Sequence, residues 1–149
     1  MFDLNVGLDK IQGIYLSSVV PFLTTPISEI IASLFEEKII VIGPHTFSKL
    51  KISIDNPSEI GSDLVANAVA AVSRFNKACV VVDFGTALTF TTITGDFEIL
   101  GVAIAPGLKT SMSALHSKTA QLPEVPLVLP KTVIGKNTMH AIQLSLIHI

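Results

Sequence analysis

One cysteine, Cys79, is all the thiol chemistry in these 149 residues, so the chain has neither a disulfide framework nor a thiolate metal site. Basic residues are few and unclustered. Ten Lys and Arg stand against twelve Asp and Glu, a net charge of −2, which argues against a nucleic-acid surface. No positively charged segment precedes an apolar stretch at the N-terminus, and no apolar run reaches the roughly 18 residues of a membrane span. Neither export nor a membrane is expected, and a reduced, cytoplasmic setting fits. Gly-x-x-x-x-Gly-Lys-Ser/Thr and Gly-x-Gly-x-x-Gly are both absent, which leaves P-loop and Rossmann nucleotide binding unsupported. Asp83-Phe84-Gly85 matches the protein-kinase triplet only by accident, because the kinase catalytic and Gly-rich loops are missing. The histidines at 45, 116, 140 and 148 lack metal-ligand spacing and read as ordinary surface or partly buried residues. There is no internal repeat and no low-complexity segment.

Apolar residues are plentiful. They make up 49% of the chain against 15% charged, enough for a substantial core in one domain or in pieces of two. Such hydropathy implies a parallel-type sheet with covered faces, or a sizeable subunit interface. Ile11–Val20 reads as a strand running into Pro21, Ile27–Lys38 as a helix with apolar residues at 27, 30, 31, 34 and 35, and Ile39–Ile42 as a second strand. Strand, helix, strand with short joins is a βαβ unit. Asp55-Asn56-Pro57 is turn chemistry. Leu64, Val65, Ala68, Val69 and Val72 then form one helical stripe, with Asp63 and Asn67 on a shared polar face. Leu88–Thr94 and Phe97–Ala105 form an antiparallel pair around Gly95-Asp96, followed by a helix over Leu108–Ala120. Pro123, Pro126 and Pro130 make Leu122–Lys131 an extended linker, and a last helix starts near Ile134.

The stretch from Cys79 to Thr91 carries the most chemistry. Its apolar run predicts a fully buried strand that ends in Asp83. A carboxylate there costs free energy unless a cation, hydrogen bonds or a ligand compensates it. Gly85 lets backbone approach a ligand, and Thr86 offers a hydroxyl and an amide. On these residues alone two readings stay open: a phosphate or metal site, or a hairpin whose acid caps a turn. Asp63, taken alone, reads as a first-turn acid favoured by the helix dipole.

The ordered set is more specific than its parts. It comprises Ser17-Ser18-Val19-Val20-Pro21, Asn56-Pro57 through Gly61-Ser62-Asp63, Asn67–Ala71, Asp83-Phe84-Gly85-Thr86-Ala87, Gly101–Leu108, Thr119–Pro123 and Ile134–Thr138. In order and spacing, over about residues 11–143, it resembles the type III pantothenate kinases. The resemblance implies an α/β, two-lobed actin-like (RNase H-like) fold of the acetate and sugar kinase/actin superfamily. Residues 1–55 would be the C-terminal part of the first lobe and 56–143 the greater part of the second. It implies ATP-dependent phosphorylation of pantothenate, the first step of coenzyme A synthesis, with Mg2+ and a monovalent cation (K+ or NH4+), in a homodimer. Carried over residue by residue, Asp63 is the general base. Gly61, Ser62, Asp63, Leu64 and Thr138 contact pantothenate, Gly85 and Thr86 contact ATP, and Asp83 is the monovalent-cation ligand.

Some positions depart from the family pattern. Leu64 stands where many members have an Arg, Ile54 where many have a Tyr, and Val102 where a second Gly is usual. The family's opening Asp-x-Gly-Asn phosphate hairpin is not in the chain, so a fragment lacking that hairpin, with little activity of its own, is expected. Leu144–Ile149 reads like read-through of a sequencing-library transposon end and is expected to be a non-native tail. Two alternatives accompany the enzyme reading: a non-catalytic regulatory or binding relative, and a related kinase for another small hydroxylated substrate.

Overall fold

The computed structural model describes residues 11–35, 37–47 and 50–147, and it opens with the expected β-α-β order. Strands β1 (Ile14–Ser17) and β2 (Ile39–Ile42) pair in parallel, Ile14 opposite Ile39 and Ser17 opposite Ile42. Helix α1 (Pro21–Leu34) makes the crossover that parallel strands require. Its start corrects the sequence expectation of Ile27. Pro21 lies in the first turn, where its missing N–H is no loss and its φ is already helical. Pro26 inside the helix deprives the Phe22 carbonyl of its helical donor without ending the helix. The apolar stripe is not covered either: α1 buries none of its residues, and Phe22, Ile30 and Leu34 are 77, 60 and 63% exposed.

Strand β3 (Lys51–Ile52) leads to a 3-10 turn, Pro57–Glu59, whose cap is the Asn56 side chain accepting from Ser58 N. Helix α2 (Ser62–Phe75) then buries Val65, Ala68 and Val72 on one stripe, as the spacing predicts. Asn76 ends it in the left-handed conformation (φ 52), its N–H donating to Val72 O at 2.7 Å, a position Asn tolerates without a Gly.

Strands β4 (Cys79–Phe84), β5 (Ala87–Ile93) and β6 (Glu98–Pro106) join β3 in a sheet of order β3-β6-β5-β4, with β3 parallel to β6. Gly85-Thr86 links β4 to β5, and Thr94–Phe97 links β5 to β6. Links this short between neighbouring strands make them antiparallel. The expectation of a fully buried β4 is corrected. Its burial alternates, and Val80, Val82 and Phe84 are 60, 44 and 70% exposed. The strand is last in the sheet order, and its second face is open.

Contacts divide the chain into two units, Met1–Val80 with Thr92–Gly101 and Val81–Thr91 with Val102–Ile149. The first buries Ile60, Val65, Ala68, Val72, Ile93 and Ile99. In the second, helices α3 (Leu108–Lys118) and α4 (Thr138–Ile147) carry a core of Met112, Ile142 and Leu146 with Val125 from the connecting segment. Residues 119–137 hold no helix or strand, as three prolines predict. Helix α4 starts four residues later than expected because Asn137 Oδ1 accepts from His140 N at 2.8 Å and fixes the start there. It runs on through Ser145, Leu146 and Ile147, burying Leu146. Among the described residues no helix is long and apolar enough to cross a membrane.

Candidate active site

In the first unit, α2 begins at Gly61-Ser62-Asp63-Leu64. Gly61 is the N-cap and has no side chain to offer. The helix therefore satisfies its early N–H groups another way: Asp63 Oδ1 accepts from Leu64 N at 2.9 Å. The carboxylate folds back over Gly61, where a Cβ would overlap Asp63 Oδ1. Asp63 is nevertheless exposed, at the helix end whose dipole favours negative charge. A carboxylate so placed can orient a hydroxyl and take its proton.

Ser62 is buried, and its Oγ lies 2.8 Å from Ser17 Oγ, at the end of β1. The chain leaving β1 is held by Ser18 Oγ, which accepts from Val20 N and donates to Val20 O, both at 3.1 Å. Leu64 is half-buried. The structure thus keeps Gly61, Ser62, Asp63 and Leu64 together and adds Ser17, which the sequence offered only as part of a motif.

In the second unit the Gly85-Thr86 turn is clasped by the start of α3. Thr86 O accepts from Gly107 N at 2.9 Å and from Thr110 Oγ1 at 2.7 Å. Gly107 caps α3, and a Cβ there would overlap the carbonyl oxygens of Gly85 and Thr86. Gly85, Thr86, Lys109, Thr110 and Ser113 line a depression of about 410 Å³. The first turn of α3 holds no acid but does hold Lys109. A cation beside the positive helix end is unfavourable alone and becomes favourable when an anion sits between backbone N–H groups and the ammonium. Lys109 and Thr110 escaped the sequence reading; the signal for them was their place just after the strand-ending Pro106-Gly107.

Asp83 is half-buried on the covered face of β4 with Cys79 and Val81. Among the described residues no group of three or more His, Cys, Asp or Glu could hold a metal ion. A cation at Asp83 would therefore draw its other ligands from hydroxyls, carbonyls or a substrate. Thr138 is the exposed first residue of α4 and does not line the depression. Two histidines take structural roles, His116 Nδ1 bonding to Leu122 O at 2.9 Å and His140 Nε2 to Thr132 O at 3.1 Å. His148 lies outside the described residues.

A family model described as type III pantothenate kinase matches residues 3–149. Among curated proteins, a type III pantothenate kinase of Treponema pallidum (strain Nichols) is 51% identical over 145 residues, covering 96% of this chain and 53% of its own length. Another, from Exiguobacterium sibiricum, is 39% identical over 141 residues, covering 95% and 56%. The chain spans about half the length of these relatives. Among solved structures, a Campylobacter jejuni protein assigned to a Baf family of transcriptional activators superposes with a TM-score of 0.62 at 22% identity, covering 93% of this chain and 60% of that one. That is a likeness of fold.

Proposed function

The chain belongs to the type III pantothenate kinase family, and on that premise we propose that the whole protein transfers the γ-phosphoryl group of ATP to the hydroxyl of pantothenate. Asp63 takes the hydroxyl proton as the oxygen–phosphorus bond forms and ADP leaves. Gly61, Ser62, Leu64 and Thr138 contact pantothenate. Gly85 and Thr86, joined by Lys109 and the first-turn amides of α3, hold nucleotide phosphate oxygens. Asp83 contributes a carboxylate to a monovalent cation, K+ or NH4+. MgATP, when bound, supplies the transferable phosphoryl group and a cation that offsets its charge. The observation that carries the proposal is the clasp of Gly107 and Thr110 on Thr86 O. It sets a turn, a helix N-terminus and a lysine around one depression, which suits a phosphate group.

The reading includes a two-lobed actin-like fold with lobes meeting near residues 55 and 56, a cytoplasmic setting and a homodimer. Apolar residues are exposed on α1 in the first unit and, in the second, at Leu129, Val133 and Ile134, which are 71, 80 and 69% exposed; each set supports a covered surface in the assembly. Leu64 offers no charge to the pantothenate carboxylate, so that end of the substrate must be held by other groups.

The test uses the protein at the full length of its relatives, with pantothenate, MgATP and K+. Phosphopantothenate forms, and Asp63→Asn lowers kcat at least about 100-fold while ATP binding stays within a few-fold. Wild-type turnover in Asp63→Asn would remove the base assignment. A folded, ATP-binding protein that phosphorylates nothing in a panel of small hydroxylated acids would point to the non-catalytic relative.

A further inference from the structure

We infer that Ser17 is a positioning residue for the Asp63 carboxylate, acting through its hydrogen bond to Ser62 across the join between β1 and α2. The inference rests on the reading of Asp63 as the base.

The first turn of α2 lacks a capping side chain at Gly61, so its orientation depends on what grips the turn from outside. Ser62 is 7% exposed and its hydroxyl sits 2.8 Å from Ser17 Oγ. A buried hydroxyl is held firmly by such a partner, because losing it leaves a desolvated polar group unpaired. Ser17 itself is well anchored. It ends a strand in parallel register with β2, opposite Ile42, and the following turn is fastened by the two Ser18–Val20 bonds. A methyl carbon of Val19 lies 3.8 Å from where a Gly61 Cβ would be, so the same turn also backs the cap. The grip reaches Asp63 through the backbone. Ser62 and Asp63 are consecutive, and Asp63 Oδ1 accepts from Leu64 N, so the first helical turn sets where the Asp63 side chain starts and gives its carboxylate a resting contact. The end of a parallel strand and the start of a helix thus meet at the Ser17–Ser62 bond, one residue before the carboxylate, and in α/β sheets ligands bind beyond the carboxyl ends of the strands.

The deciding experiment compares Ser17→Ala and Ser17→Thr in the full-length enzyme, alone and combined with Asp63→Asn. With Ser17→Ala, kcat falls about tenfold and KM for ATP stays within about twofold. Ser17→Thr, which keeps the hydroxyl at an exposed position, restores kcat to within about threefold of wild type. In the Asp63→Asn background the Ser17→Ala change costs nothing more, since two residues acting through one group are not additive. A Ser17→Ala enzyme with unchanged kcat overturns the inference. So does an equal fractional loss in both backgrounds, which would mark the bond as support for the fold alone. If Ser17→Ala does not fold, Ser17→Cys, of similar size with a weak donor, is read by the same criteria. Wild-type turnover in Asp63→Asn would instead strike the base reading itself, whatever Ser17 does.

Discussion

Gly107 and Thr86 are bound face to face: the Gly107 N–H donates to the Thr86 carbonyl at 2.9 Å, and nothing larger than hydrogen fits on the Gly107 Cα. The atoms in the way are backbone oxygens of the short turn between β4 and β5. They cannot turn aside as a side chain would. Gly107→Ala must therefore push α3 off the Gly85-Thr86 turn. The expected loss is about 2 kcal/mol of stability, read by chemical denaturation, together with a raised KM for ATP. Thr110→Val removes only the second bond to the same carbonyl and costs about 1 kcal/mol.

Glu98 contributes a pH dependence to stability. Its Oε1 accepts from Lys51 Nζ at 2.8 Å and from Ser53 Oγ at 2.6 Å. These bonds, the lysine's first, hold the carboxyl below its ordinary range. With the folded value below the unfolded one, the contribution is present above the unfolded value and is lost as pH falls through the lowered folded one. Stability curves of wild type and Glu98→Gln should separate at neutral pH and converge on the acid side. Lys51 is largely exposed, so the gap is small and should narrow further at about 1 M salt.

What the sequence made legible follows from what local chemistry can encode. The α2 stripe of Val65, Ala68 and Val72 was readable because one helix face repeats at fixed spacing. The β5–β6 hairpin was readable from its turn. The start of α1 was not, because a proline ends one helix and opens another, and only the backbone around Pro21 decides which. The open face of β4 was hidden for a different reason. An apolar run looks the same whether a strand is covered on both faces or one, and the answer depends on strand order. For the candidate site, Gly61–Leu64 and Asp83–Thr86 could be proposed from the sequence because each is a contiguous motif. The Ser17–Ser62 bond spans 45 positions and leaves no local trace.

Leu146 tests the last stretch of the chain. It is 3% exposed and packs with Met112, Val125 and Ile142, although Leu144–Ile149 read as a tail foreign to the family pattern. Burial of this extent makes Leu146→Ala cost about 2–4 kcal/mol, comparable to Ile142→Ala. Thermal or denaturant unfolding of the two variants side by side measures it. If Leu146→Ala and removal of residues 144–149 both leave stability unchanged, α4 owes nothing to these residues and the foreign-tail reading holds.

Gly61 is the other helix-capping glycine, and it should behave in the opposite way to Gly107. Its φ of −62 and ψ of 137 are open to alanine, and the atom a new Cβ would meet is Asp63 Oδ1, the far end of a side chain that can rotate. Rotation relieves the overlap cheaply, so Gly61→Ala should change stability by no more than about 1 kcal/mol. It cannot relieve it without withdrawing Oδ1 from Leu64 N, and the carboxylate then points elsewhere. On the proposed role of Asp63 as base, a displacement of about 1 Å costs on the order of 100-fold in rate. The expected variant therefore melts within a few degrees of wild type, binds ATP normally and phosphorylates pantothenate at about a hundredth of the rate. Full activity in a stable Gly61→Ala protein would show that the carboxylate orientation seen against the helix is not the one that does the chemistry.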